Sequence, residues 1–170
     1  MSTTSTTVAP DVSTVPEVID EAYVNAVLAA LDEVDAEATR IIKETRRFPP
    51  DAADLLNTIY ADKEFDNQAN NWLQALVRDR ELKNVRPDPG SRVTRVERII
   101  FASPRCLWFA MRRDYSAVYF ELGPDRVQYL ALEPLDRSND PKGHNPTPWM
   151  ITAEGYREDG VEPGNPCASS

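Results

Sequence analysis

Histidine is almost missing from this chain: His144 is the only one among 170 residues, and cysteine occurs twice, as Cys106 and Cys167. A single histidine in a Pro/Gly/Asn-rich loop, with no second histidine and no cysteines at ligand spacing, makes a poor metal site and is read as a solvated loop residue. Neither cysteine stands in a CxxC or Cys-His context. No paired nucleophile and base and no phosphate-binding glycine loop occurs either, so no metal or other cofactor is expected, and catalysis is not the first expectation. Long apolar runs are also lacking; none approaches the roughly 18 residues that a membrane-spanning helix requires. The opening segment has no positively charged start followed by an apolar run, which is the pattern of a secretory signal. Basic residues are in deficit, and the net charge of −9 argues against a general nucleic-acid binder, because phosphate contacts need clustered Lys and Arg.

What the chain does have is an order of patterns. Helical periodicity runs from about Glu17 to Arg78, and strand periodicity from about Arg92 to Tyr156. Helices first and strands second describe an α+β domain whose N-terminal helices pack on an antiparallel sheet. The first helix is expected to start at Thr14-Val15-Pro16-Glu17, a capping-box pattern with proline in the first turn. Its apolar stripe runs through Tyr23, Val27, Leu31, Val34, Ala38 and Ile42. Phe48-Pro49-Pro50-Asp51 breaks it and opens a second helix reaching Tyr60, and a third spans Lys63 to Arg78 with Phe65, Ala69, Trp72, Leu73 and Leu76 on one face. Strands are expected at Arg92–Ala102, where one bulge would repair an imperfect alternation, and at Arg105–Met111. A further apolar stretch covers Ala117–Leu122, followed by strands at Arg126–Leu132 and Trp149–Tyr156 with Trp149, Ile151 and Ala153 on one face. The short connections imply antiparallel pairing.

The domain is accordingly placed at Pro16–Tyr156. Met1–Val15 is Ser/Thr-rich and reads as a tail or tether, and a C-terminal tail follows from Arg157. Two compartments fit: a cytoplasmic protein with an unstructured start, or a chain whose export signal lay upstream. The Thr-rich start resembles the spacer that follows the lipidated cysteine of many bacterial lipoproteins, which favours an extracytoplasmic, membrane-tethered or secreted location. Cys106 sits inside the most apolar strand, whereas Cys167 lies in a tail with no packing reason to carry it. Either the two pair, pinning the tail to the sheet in an oxidising compartment, or they are unrelated free thiols.

Charge is uneven. Arg78–Arg113 holds ten basic residues against four acidic, leaving the remainder of the chain with fifteen more negative than positive charges. An acidic helical layer facing a basic strand edge explains this, and a basic lip for an anionic ligand is the alternative. Asp66, in a polar segment bordered by aromatics, is the carboxylate that could serve as a general base if burial raised its pKa; otherwise it is a solvated helix residue. Phe65, Trp72, Trp108, Tyr129, Trp149 and Tyr156 either converge on a pocket under a curved sheet or fill a core.

Three helices followed by a strongly bent antiparallel sheet over about Glu17–Tyr156 resembles the nuclear transport factor 2-like superfamily, whose cone-shaped domain encloses a pocket between helices and sheet. The Cys106 strand, with Asn145-Pro146-Thr147-Pro148-Trp149 before the final strand, is similar to an actinobacterial exported or lipid-anchored branch. The resemblance implies a pocket and carries over no catalytic residue. It yields two expectations: a non-catalytic binding or assembly domain of the cell envelope, meeting an envelope protein or a copy of itself through the sheet, or a cofactor-free isomerase, cyclase or dehydratase acting on a hydrophobic small molecule.

Overall fold

The computed structural model describes residues 10–158 and 160–169. The first nine residues of the expected tether lie outside the described residues. Four helices precede four strands: α1 (Glu21–Thr45), α2 (Pro50–Ile59), α3 (Asp62–Arg78), α4 (Arg80–Asn84), β1 (Val93–Ser103), β2 (Cys106–Asp114), β3 (Gln128–Pro134) and β4 (Trp149–Tyr156). The chain is thus an α+β domain with an open antiparallel meander in the order β1-β2-β3-β4.

Helix α1 begins six residues later than the capping-box pattern, with Thr14 as cap, suggests. Asp20 is the N-cap, in an extended conformation, with its carboxylate accepting from the Tyr23 amide at 2.8 Å. The preceding residues stay extended because they pack: Val12, Val15 and Ile19 lie against the core, and the Tyr23 hydroxyl donates to the Thr14 carbonyl at 2.9 Å. The folded unit therefore starts before Pro16. Pro50 opens α2 at a position where its missing N–H costs nothing. The Tyr60–Ala61 junction after α2 pairs with β4, the Ala61 amide donating to the Ile151 carbonyl at 2.8 Å. Helix α3 is bounded by Asp62 and Asp79 at positive φ, and Glu64 is its only fully buried residue. Leu73, expected on the packed face, is half exposed.

The main core joins the α1 stripe (Val24, Val27, Leu28, Leu31, Ile42) and α2 (Leu55, Leu56, Ile59) to the inner sheet face, where Leu107, Phe109, Met111, Leu130, Leu132, Trp149 and Ile151 are all buried. Each such large side chain contributes about 1.5–3 kcal/mol relative to exposure. The outer face of the sheet carries a second cluster, Cys106, Trp108, Ala110, Tyr129, Ala131 and Cys167. There the C-terminal residues fold back over β2 to β4, and Cys106 and Cys167 form a disulfide across 61 residues. Pro163 packs on Gly155, where a Cβ would come within 3.3 Å of the ring.

Three register shifts shape the sheet. β1 has two, at Glu97 and Ile100, where one was expected. β4 has one at Thr152, between the pairs Ala131↔Ala153 and Leu132↔Ile151. Such bulges bend a strand and change which face its later residues meet. Ala117–Leu122 is not a strand; only Tyr119 pairs, with Val85, and Phe120 and Leu122 are exposed. No helix among the described residues is long and apolar enough to cross a membrane.

Candidate functional site

At the end of the sheet where β1 starts and β2 and β4 finish, the apolar interior gives way to a buried charged cluster. Asp32 and Asp35 project from α1, Tyr60 follows α2, Arg92 precedes β1, and Arg113 and Glu154 come from β2 and β4. Arg113 is in phase with the inward Leu107, Phe109 and Met111, so strand alternation sends its guanidinium inside. Glu154 would face outward from an unbroken strand in which Trp149 and Ile151 face in. The bulge at Thr152 reverses that parity: Ala153 packs on the outer cluster, and Glu154 pairs with the inward Leu130.

The contacts are dense. Arg92 Nε donates to Asp32 Oδ1 at 2.6 Å, its Nη1 lies 3.3 Å from Asp35 Oδ2, and its Nη2 donates to the Tyr60 hydroxyl at 2.9 Å. Tyr60 in turn donates to Asp35 Oδ1 at 3.1 Å. Asp32 Oδ2 accepts the Thr94 amide at 2.9 Å, which fixes the start of β1 against α1. Arg113 Nη1 sits 2.8 Å from Glu154 Oε1. That contact is an ion pair off the N–H direction, since the buried Oε1 accepts no hydrogen bond. Both guanidiniums are almost fully buried, at 6% and 2% side-chain exposure. The acidic helix thus faces the basic strand edge, as the charge asymmetry suggested, but the pairing is inside the protein.

Burial is the dominant influence on the protons here. It raises the Asp35 carboxyl above its ordinary value, with Arg92 opposing and Asp32 reinforcing the shift. Burial also lifts the Tyr60 phenol well above its ordinary value, and the Tyr119 phenol to about 12. Tyr60 feels Arg92, Asp35, Glu154 and Arg113 together, so these groups act as one electrostatic unit.

Asp35, Arg92, Arg113 and Glu154 form the floor of a cleft of about 1090 Å³ between α3, α4 and the strand ends, with Asp32 and Tyr60 buried behind them. Asn67, Asn71 and Gln74 of α3 supply amides to one wall, and Tyr115, Tyr119 and Tyr156 supply aromatic rings to the other. A neighbouring cleft of about 800 Å³ shares Arg113 and those three tyrosines.

Of the residues singled out from the sequence, Trp72 lines the large cleft. Phe65 packs against the main core instead, and Asp66 is exposed on α3, away from the cleft lining. Trp108 and Tyr129 lie on the outer sheet face, their ring centroids 5.7 Å apart. Trp149 is wholly inside the core, its indole donating to the Tyr23 hydroxyl at 2.9 Å. Of the two alternatives, pocket or core, these aromatics do not converge on one pocket: Trp149 fills the core, and alternation along β2 and β3 sends Trp108 and Tyr129 to the opposite face. His144 is half-buried in its loop, its amide held by Asp140 Oδ1 at 2.8 Å. No group of three or more His, Cys, Asp or Glu among the described residues is placed to hold a metal ion.

The sequence points to an acidic helical layer facing a basic strand edge, but does not separate Asp32, Asp35, Arg92 and Arg113 from their neighbours. A signal was present: Arg113 continues the inward parity of Leu107, Phe109 and Met111. Compared with known protein families, characterised proteins and solved structures, the chain matches none.

Proposed function

We propose that this domain binds a polar small molecule in the cleft between α3 and the strand ends. The observation that carries the reading is the placement of the buried ion-paired side chains Asp35, Arg92, Arg113 and Glu154 at its floor. Buried ion pairs are a poor means of stabilising a fold, and apolar residues of similar volume serve as well or better; charges held at the base of a cavity point to a site. The lining amides and charges move the expected ligand from hydrophobic to polar. Helices over an antiparallel sheet with a pocket between them agree with the nuclear transport factor 2-like organisation, which we retain as a proposal for the fold. The Cys106–Cys167 disulfide supports an oxidising, extracytoplasmic location. Because the C-terminal residues cover the outer sheet around Trp108 and Tyr129, we do not extend the proposal to self-association through that face.

A fragment screen by NMR tests the reading. Polar fragments are expected to shift the Trp72, Tyr115 and Tyr119 resonances saturably, and Ala75→Trp, which fills the cleft from α3, is expected to abolish the shifts while leaving the fold intact. Shifts that survive in Ala75→Trp, or a screen silent at these residues, would reject the cleft as the site. Catalysis on the bound molecule is a second reading, favoured by one observation: Asp35 lines the cleft and burial raises its carboxyl, the condition for general acid–base work. Asp35→Asn should then lose turnover even at ligand concentrations that saturate the cleft.

A further inference from the structure

Resting on the reading of the cleft as a ligand site, we propose that its ligand is an organic cation, a primary ammonium or guanidinium on an apolar or aromatic body, whose charged end meets Glu154 and Asp35. The buried cluster holds three carboxylates, Asp32 behind the cleft and Asp35 and Glu154 at its floor, against two guanidiniums, Arg92 and Arg113. With all of them ionised, it carries one uncompensated negative charge in a largely dehydrated place, and a buried charge calls for a partner. Neither arginine is free for an anion. Arg92 is engaged by two carboxylates and the Tyr60 hydroxyl, and Arg113 by Glu154 and Thr94.

The carboxylates, in contrast, have capacity left. Glu154 Oε1 is buried against Arg113, but the Asp35 and Glu154 side chains as a whole keep 17% and 16% exposure at the cleft floor. The wall beside them is aromatic. Tyr115 and Tyr119 stand 5.7 Å apart with their rings tilted by 41°, Tyr156 and Trp72 also line the cleft, and ring faces attract cations. Carboxylates behind and rings beside are a receptor for a positive charge on an apolar stem. Facing Asp35 are Asp32 from its own helix, Arg92 and Arg113 from the sheet, and the Tyr60 and Tyr119 phenols. Burial holds the Asp35 proton more tightly than usual, so an arriving cation competes with that proton, and binding should weaken as the pH falls into the range where Asp35 protonates.

Three probes of one shape separate the charges: benzylammonium, benzyl alcohol and benzoate, titrated into the wild-type protein and followed by NMR at Trp72, Tyr115 and Tyr119. Benzylammonium is expected to bind at least about tenfold more tightly than either of the others. Glu154→Gln, checked for folding by urea denaturation, is expected to remove that preference; the wild-type comparison stands alone should the variant not fold. Benzyl alcohol or benzoate binding as tightly as the cation would overturn the proposal and leave the cleft reading intact. Silence from all three would also overturn it, and the cleft reading falls only if the wider polar fragment screen is silent too.

Discussion

Replacing Arg92 by methionine keeps an unbranched apolar stem and removes the guanidinium from between Asp32, Asp35 and Tyr60. The carboxylates have side-chain exposures of 3% and 17%, so water does not replace the lost guanidinium. Breaking a buried pair in this way costs about 3–5 kcal/mol. With a urea m-value of about 2 kcal/mol/M, the unfolding midpoint should drop by about 2 M, read by tryptophan fluorescence. The pH dependence supplies an independent check. Arg92 pulls the Asp35 carboxyl down while burial pushes it up by more, so the variant's Asp35 should hold its proton to higher pH than the parent's. In both proteins the raised carboxyl favours the folded state while protonated, and that contribution is lost as the pH rises through its folded-state pKa. The loss is larger in the variant, so its deficit should be greatest at neutral pH and shrink on mild acidification. Combining Arg92→Met with Asp32→Asn and Asp35→Asn removes all three charges and should recover most of the stability. A single variant whose midpoint stays within about 0.3 M of the parent would refute the argument, because Arg92 would then be solvated rather than buried.

Two further perturbations address the periphery of the site. Converting Cys106 and Cys167 together to serine opens a loop spanning 61 residues; the chain-entropy relation gives a loss of about 4 kcal/mol, and the parent in reductant should match the double variant in a thermal melt. Thr152→Val removes a buried hydroxyl that has no hydrogen-bond partner and should leave stability unchanged or raise it by up to about 1 kcal/mol; a marked loss in urea denaturation would show that the hydroxyl is satisfied.

The helical half was legible because its apolar residues recur at three and four, and α1 and α2 bury the stripes that this spacing defines. The start of α1 was not, since the choice between Thr14 and Asp20 as cap is made by the packing of Val12, Val15 and Ile19, a long-range effect. In the strand half, β3 follows from alternation and β2 and β4 from their apolar runs, while Ala117–Leu122 has strand composition but forms a single bridge, between Tyr119 and Val85, and joins no sheet strand. The choice between an aromatic pocket and a core stayed open for a related reason: β2 is apolar on both faces, so composition hides which face Trp108 takes, and only parity with Leu107 and Phe109 reveals it. Glu154 was the hardest to foresee, because nothing near Thr152 in the sequence announces the extra residue that turns the carboxylate inward. Asn145 is a similar case. In a loop that reads as turn-forming, its side chain, 1% exposed, bonds the Thr58 and Trp149 carbonyls and the Thr147 amide and hydroxyl.

The bond between the Trp149 indole and the Tyr23 hydroxyl joins residues 126 positions apart, and it sets a timetable for synthesis. Helices α1 and α2 leave the ribosome first, with their apolar stripes complete and nothing to cover them. The inner sheet face that covers them ends at β4, and the Ile151 carbonyl that anchors the α2–α3 junction arrives with it. A nascent chain therefore carries an exposed hydrophobic surface from the synthesis of α1 until β4 has emerged, and closes late, a state that suits a chaperone's grip better than early folding at the exit tunnel.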